Sequence, residues 1–289
     1  MELVKTVADV RELRRSELEQ GARAALVPTM GFLHEGHLAL VRRARELAER
    51  VWVSIFVNPT QFGPGEDFDR YPRDLERDLG LLDNEGVDAV FAPTVEEMYP
   101  RPPVVEVGFS GLDRGLCGGH RPGHFAGVGL VVSKLFNIIR PEIAVFGQKD
   151  AQQAILIRRL SEDLSFYVAI DVVPTIREPD GLAMSSRNSL LSDDMRRAAP
   201  TLYRGLVAGA DLVAAGERDP ATVVAAVRES IAHQPLLALE YVECVDVDDL
   251  RTPARIDGPV LLAVAAMAGS TRLIDNLPLE SATDGSDRT

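Results

Sequence analysis

The feature that most constrains the fold is an alternation. Through most of the chain, unbroken apolar runs of strand length take turns with segments of helical period. Residues 24–28 (AALVP), 51–57 (VWVSIFV), 88–92 (DAVFA), 143–147 (IAVFG) and 167–173 (YVAIDVV) are continuous rather than alternating, as strands covered on both faces are. Between them, residues 37–50, 74–85, 123–140 and 150–164 carry apolar side chains at helical spacing. The pattern predicts a doubly wound α/β domain on a parallel sheet, with its ligand outside the strand C-termini. Beyond residue 187 the texture changes: 193–216 and 219–233 are Ala-rich and helical, and 239–247 and 260–268 read as strands. The expected division is a first domain over 1–187, a smaller α+β C-terminal domain over 188–280, and a disordered tail, 281–289, nearly devoid of apolar residues.

Composition narrows the function classes. With 289 residues the chain can bury a core without metal or disulfide staples. Asp plus Glu total 44 against 31 Lys plus Arg, a net charge of −13. A field of that sign repels phosphate backbones and anionic bilayers, so neither nucleic acid nor membrane is an expected partner. A local basic pocket can still hold a small anion. Cys117 and Cys244 are the only cysteines, which leaves no disulfide framework and no four-cysteine zinc site. The N-terminus lacks an apolar signal core, and no apolar run nears the ~18 residues needed to span a bilayer. The expected location is the cytoplasm.

The chemistry-bearing segments fall directly after the expected strands. In PTMGFLHEGHLAL (28–40) a strand leads through a glycine turn into a helix near Gly36. Open N–H groups and the positive dipole end at a helix start suit an anion. His34 and His37 are three apart and can face one bound group. H-x-G-H at such a junction resembles the nucleotide-binding signature of the nucleotidyltransferase superfamily. A zinc-protease helix would need H-E-x-x-H, and HEGH is one residue short. Two histidines that merely cap the helix remain the bland alternative. In PDGLAMSSRNSLLS (179–192), Ser185, Ser186 and Arg187 offer two hydroxyls and a permanent cation for a triphosphate, similar to the second signature of that superfamily. Alone it is an ordinary Ser-rich turn; in order after H-x-G-H it is far more specific.

Three further loops add candidates. In FGQKDAQQ (146–153), Lys149 at a helix start conflicts with the helix dipole, as a phosphate site would require. Asp150 has helix capping as its bland role, and Gln153 lies one turn on. The long Gly/Pro loop FVNPTQFGPGEDFDRYPR (56–73) carries Asn58 and Gln61, neutral groups suited to a hydroxyl or amide. In CGGHRPGHFAG (117–127), Arg121 is the expected anion partner, while His120 and His124 read as capping or core hydrogen-bonding residues. His233, without a companion, reads as a surface residue.

Taken in order and spacing, PTMGFLHEGH, FVNPTQF, DRYPR, RPGHFAGV, FGQKDAQQ and DGLAMSSRN closely resemble the pantoate–β-alanine ligase family. The resemblance implies a Rossmann-like parallel sheet carrying the H-x-G-H site, a smaller lid-like C-terminal domain, and a homodimer. It implies condensation of pantoate with β-alanine, with ATP split to AMP and pyrophosphate through a pantoyl adenylate and with Mg2+ arriving on the nucleotide. Carried over by position, Met30, Gly31, His34, Gly36 and His37 would bind ATP, as would Gly147, Gln148, Lys149, Asp150, Ile176, Met184, Ser185, Ser186 and Arg187. His37 would be the proton donor, with His34 and Lys149 sharing catalysis. Gln61 would contact pantoate and β-alanine, and Gln153 pantoate. Two positions depart from the family's pattern, Gln148 standing where Glu is common and Ala151 where an aromatic is. Cys117 stands where many members carry an acid, and no function is assigned to it. No protein ligand for a metal is identifiable. The alternatives are another nucleotidyl-transferring enzyme on this fold, disfavoured by Gln61, Gln153 and the N-P-x-Q-F loop, or a non-catalytic nucleotide sensor, disfavoured by intact His37, Lys149 and Arg187.

Overall fold

The computed structural model describes residues 1–280; the expected tail, 281–289, lies outside the described residues. The chain divides into two compact units. The first comprises Met1–Asp113 and Gly118–Ile176, the second Arg114–Cys117 and the chain from Arg177 onward. The division therefore falls roughly eleven residues earlier than the expected one after Arg187.

In the first unit the elements run β1 (Glu2–Val4), α1 (Val7–Glu19), β2 (Ala24–Thr29), α2 (Glu35–Leu47), β3 (Arg50–Ile55), α3 (Leu75–Asn84), β4 (Ala89–Phe91), α4 (Val95–Met98), α5 (Leu116–His120, which begins in the second unit), α6 (His124–Ile139), β5 (Ile143–Gly147), α7 (Ala151–Asp163) and β6 (Ala169–Val173). The sheet order is β1-β4-β3-β2-β5-β6, and every adjacent pair is parallel. The chain runs from β2 outward to β3 and β4 on one side, then returns to place β5 on the other. The strand order reverses between β2 and β5, and the crevice beyond their C-terminal ends is where open α/β sheets bind ligands.

All five expected strands are present. Strands β2 to β5 are buried because helices cover both faces, whereas β6, at the sheet edge, is only partly so. Ala25, Val27, Val51, Val53 and Val145 share one core with Leu40, Val41 and Ala44 of α2 and Leu82 of α3. On the other face the indole N–H of Trp52 donates to Glu17 of α1 at 3.1 Å. Helix α1 and strand β1 have no counterpart in the sequence reading, and for α1 the reason is physical. The buried positions of α1 are Val10, Arg14 and Glu17, a helical spacing in which two of three residues are charged. Arg14 and Glu17 pair at 2.7 Å, and Arg14 also donates to the Ile139 carbonyl at 2.9 Å. A stripe satisfied by ion pairing carries no apolar period.

The second unit contains α8 (Asp193–Ala198), α9 (Thr201–Ala214), α10 (Pro220–Ala232), β7 (Ala238–Asp246), β8 (Val260–Ala268) and β9 (Thr271–Leu279). Its sheet is antiparallel in the order β7-β8-β9. Leu202, Leu206, Val223, Val227 and Ile231 of the helices pack with Val242, Leu262, Val264 and Ala266 of the sheet. The expected helix 193–216 is two helices, broken at Pro200, whose ring blocks helical hydrogen bonding. Strand β9 has no counterpart in the sequence reading. Cys117 and Cys244 are free thiols.

Candidate active site

The switch point between β2 and β5 brings two of the expected segments together. Beyond β2 the chain turns through Gly31 and Phe32, both in the left-handed region at φ 82° and 52°, and enters α2 with His34 as N-cap. A Cβ at Gly31 would stand 3.0 Å from the Asp78 carboxylate and from Ile55, so the turn needs glycine for conformation and for space. Asp78, on α3 and 1% exposed, accepts the N–H groups of Phe32 and Leu33, each at 2.7 Å. Thr29 holds the other side, its hydroxyl donating to the Ser54 carbonyl at 2.8 Å and accepting the Gly31 N–H at 3.1 Å. Burial raises the Asp78 pKa while the two amides oppose the rise. The sequence reading missed Asp78. Its signal is weak, an acid in the first turn of an amphipathic helix 46 residues from Phe32.

The two imidazoles are tied down by the same nitrogen. His34 Nδ1 accepts the Gly36 N–H at 3.1 Å, and His37 Nδ1 accepts the His34 N–H at 3.3 Å. The ring centroids are 4.1 Å apart. A nitrogen that accepts a backbone N–H carries no proton, so each neutral ring holds its proton on Nε2. Burial, followed by the charge of Lys149, pushes the His34 pKa down to about 4. Burial, then His34 and Lys149, lowers that of His37 well below its ordinary value. At neutral pH the pair is two uncharged N–H donors beside a cation. The capping role and the ligand role use opposite nitrogens of the same ring, so one does not exclude the other.

Lys149 comes from the other side of the switch point. Strand β5 ends at Gly147 and a single 3-10 turn, Gln148–Asp150, leads into α7. Asp150 occupies the N-cap of α7 but makes no side-chain capping bond, so the bland role expected for it is not taken. Its carboxylate lies 3.8 Å from the Lys149 ammonium instead. Gln153 is partly buried in the first turn of α7. Its neighbour Gln152 is structural, donating to the Leu112 carbonyl at 3.0 Å and accepting the Gly118 N–H at 3.3 Å.

Gln61 ends a 3-10 turn, Pro59–Gln61, after β3. Asn58, 1% exposed, donates to the Gln61 side-chain oxygen and to the Gly127 carbonyl, both at 3.1 Å. Asn58 Oδ1 accepts from the Tyr99 hydroxyl at 2.9 Å and the Thr60 hydroxyl at 3.0 Å. With its oxygen engaged, Gln61 donates one amide N–H to the Met30 sulfur at 3.3 Å, and the second N–H of the same NH2 group is the one it can offer a ligand. Helix α6 presses on this turn: a Cβ at Gly127 would meet the Thr60 carbonyl oxygen at 2.2 Å. Arg121, expected as an anion partner, is engaged elsewhere; its guanidinium forks onto Glu66 at 2.8 and 2.5 Å. His124 hydrogen-bonds within the protein, consistent with its bland reading. His233 is the exposed C-cap of α10.

In the second unit, Ser185 to Arg187 form a tight turn. Ser185 Oγ accepts the Arg187 N–H at 3.3 Å, Asn188 donates to the Ala183 carbonyl at 3.1 Å, and Ser189 to the Ser186 carbonyl at 2.8 Å. Ile176 is partly buried at the end of the first unit. Among the described residues no group of three or more His, Cys, Asp or Glu side chains is placed to hold a metal ion, and no helix is long and apolar enough to cross a membrane.

The family model for pantoate-beta-alanine ligase matches residues 2–278. A pantothenate synthetase of Moorella thermoacetica is 54% identical over 280 residues, covering 97% of this chain and 99% of the relative. One of Thermoanaerobacter sp. is 53% identical over 271 residues, covering 94% and 96%. Among solved structures, pantothenate synthetase from Thermus thermophilus superposes with a TM-score of 0.91 at 45% identity, over 96% of this chain and 99% of that one. Pantoate-beta-alanine ligase from Francisella tularensis, solved with beta-gamma ATP and beta-alanine, superposes at 0.78 and 31% identity, over 96% and 97%. With its parallel sheet, its switch-point histidines and its match over residues 2–278, this chain belongs to the pantoate–β-alanine ligase family.

Proposed function

We propose that this chain condenses pantoate with β-alanine to pantothenate, using ATP, through a pantoyl adenylate and with release of AMP and pyrophosphate. The observation that carries the reading is the pair of neutral, Nε2-protonated imidazoles beside Lys149 at the sheet's switch point. Pantoate's carboxylate is ionised at neutral pH and needs no general base to attack the α-phosphorus. It needs in-line placement and donors that meet the charge developing as pyrophosphate leaves. His34 and His37 supply N–H donors without adding charge, and Lys149 supplies charge. Met30, Gly31, Gly36, Gly147, Gln148, Asp150 and Ile176 would contact the nucleotide, as the family resemblance implies. Met184, Ser185, Ser186 and Arg187 would contact ATP as the same resemblance implies, the two hydroxyls and the guanidinium suiting its triphosphate. Gln61 and Gln153 would hold pantoate, and Gln61 β-alanine.

Mg2+ would come with ATP, held by phosphate oxygens, since the described residues gather no group of three acids or histidines around a common point. A homodimer in the cytoplasm completes the reading. The test is exchange of labelled pyrophosphate into ATP with pantoate present and β-alanine absent, followed by product analysis once β-alanine is added. Exchange with AMP as product is the expected result. ADP as product would replace the adenylate with an acyl phosphate.

A further inference from the structure

Outside the groups just assigned, the first unit holds a chain of part-buried hydrogen bonds that ends on the candidate substrate residue. Glu66, on the loop after the Gln61 turn, receives the Arg121 guanidinium in a fork at 2.8 and 2.5 Å. Arg121 also donates to the outer nitrogen of His124, Nε2, at 3.0 Å. Because a guanidinium can only donate, Nε2 must be the accepting nitrogen, and the His124 proton sits on Nδ1. Nδ1 lies 2.7 Å from the main-chain oxygen of Gln61 and donates to it. Arg121 makes a second, longer contact with the same oxygen at 3.4 Å. His124 is the first residue of α6, behind a glycine N-cap at φ 81° that offers no side-chain cap, so the ring is not spent on its own helix.

We propose that His124 is a positioning residue: locked in its Nδ1–H tautomer by Arg121 and Glu66, it fixes the Gln61 turn so that the Gln61 amide nitrogen is presented to pantoate. The tautomer is opposite to that of His34 and His37, and the difference follows from the partners. Those two rings accept a backbone N–H on Nδ1, whereas this one accepts a guanidinium on Nε2. The direction of the relay also explains why Arg121 is no anion ligand: Glu66 neutralises it, and its remaining donor orients the imidazole. Burial first, then Arg121, pushes the His124 pKa down to about 4, so the ring stays an acceptor at neutral pH. The inference rests on the reading of Gln61 as a pantoate contact.

Two substitutions separate the two ends of the ring. His124→Asn keeps a donor near the Nδ1 position and loses the Nε2 acceptor; His124→Gln can reach Arg121 but gives up the bond to Gln61. In the full-length enzyme, His124→Gln should lower kcat/KM for pantoate by about tenfold or more, the usual weight of one lost buried hydrogen bond, with KM for ATP nearly unchanged. His124→Asn should retain most of that efficiency. In a Gln61→Ala background, His124→Gln should add little, because the two act through one contact. An equal loss for pantoate and ATP, an undiminished loss in the Gln61→Ala background, or a His124→Gln enzyme with normal pantoate efficiency would each overturn the relay. Gln61→Ala alone with normal pantoate kinetics would instead overturn the assignment of Gln61, so the two failures are distinguishable.

Discussion

Two turns of this protein carry signatures of nucleotide chemistry, and the hydrogen bonds that shape them differ in range. The turn from Met30 to His37 is held from outside. Asp78 on α3 takes two of its amides and Thr29 bridges it to Ser54 on the next strand. The turn from Met184 to Arg187 carries bonds at short range, the Arg187 N–H to Ser185, Asn188 to Ala183 and Ser189 to Ser186, all five residues or fewer apart, and the 3-10 turn Ser186–Leu190 also packs against β9. A turn supported at long range is stiff and can pre-aim its donors, as transition-state stabilisation requires. In the first turn that support fixes the amides of Gly31, Phe32 and Leu33.

The largest expected effect tests the rigid turn's donors. His37→Ala and Lys149→Ala should each slow pyrophosphate exchange by about a hundredfold or more, the usual weight of one oxyanion-type donor. His37→Ala should also lower the melting temperature modestly, because the His34 N–H loses its acceptor. Normal exchange with lowered melting would leave His37 as a cap and nothing more. Next in size, Asp78→Ala should destabilise the fold by about 1–3 kcal/mol for each orphaned amide and weaken ATP binding with it. Denaturant titration and nucleotide titration on the same sample would check this, and unchanged ATP affinity would break the contrast between the turns.

A pH effect should follow in the same region. His34 and His124 have folded pKa values near 4, below the unfolded value of about 6.5, so the unfolded chain binds more protons between those limits. The stability they contribute is complete above about pH 6.5 and is lost as pH falls toward 4. Urea midpoints should decline across that window, and less steeply in His34→Gln. An unaltered slope in that variant would trace the decline to carboxylates instead. The smallest effect belongs to the second turn: exposed Ser189, replaced by Ala, should change stability by no more than about 0.5 kcal/mol. A larger loss would show that this turn, too, is rigidly built.

Legibility in the sequence followed the range of the interaction. Strands β2 to β5 and the order of the motifs were readable because burial on both faces writes an unbroken apolar run. Helix α1 was not, because Arg14 and Glu17 occupy its buried face. His34, His37, Lys149, Asn58 and Gln61 were nameable from the motifs, while the acid that supports the first turn, the hold of Asn58 on the Gln61 oxygen, and the engagement of Arg121 by Glu66 were not. Those partners lie 46, 3 and 55 residues from what they hold. Even the short separation gave no sign of direction, since an Asn near a Gln has no preferred sense until a third group, here the Gly127 carbonyl, selects it.

By itself the sequence determined the parallel α/β class, the second α+β unit and the set of groups that could handle a carboxylate and a triphosphate, because periodicity and residue chemistry are local properties. Only the tertiary structure decided which nitrogen of His34, His37 and His124 carries the proton. That choice depends on whether a backbone amide or a guanidinium stands opposite the ring. His34 and His37 meet amides and keep Nε2–H, whereas His124 meets Arg121 and keeps Nδ1–H. Three identical side chains thus take two different roles, and the physical reason is the partner that folding places against each.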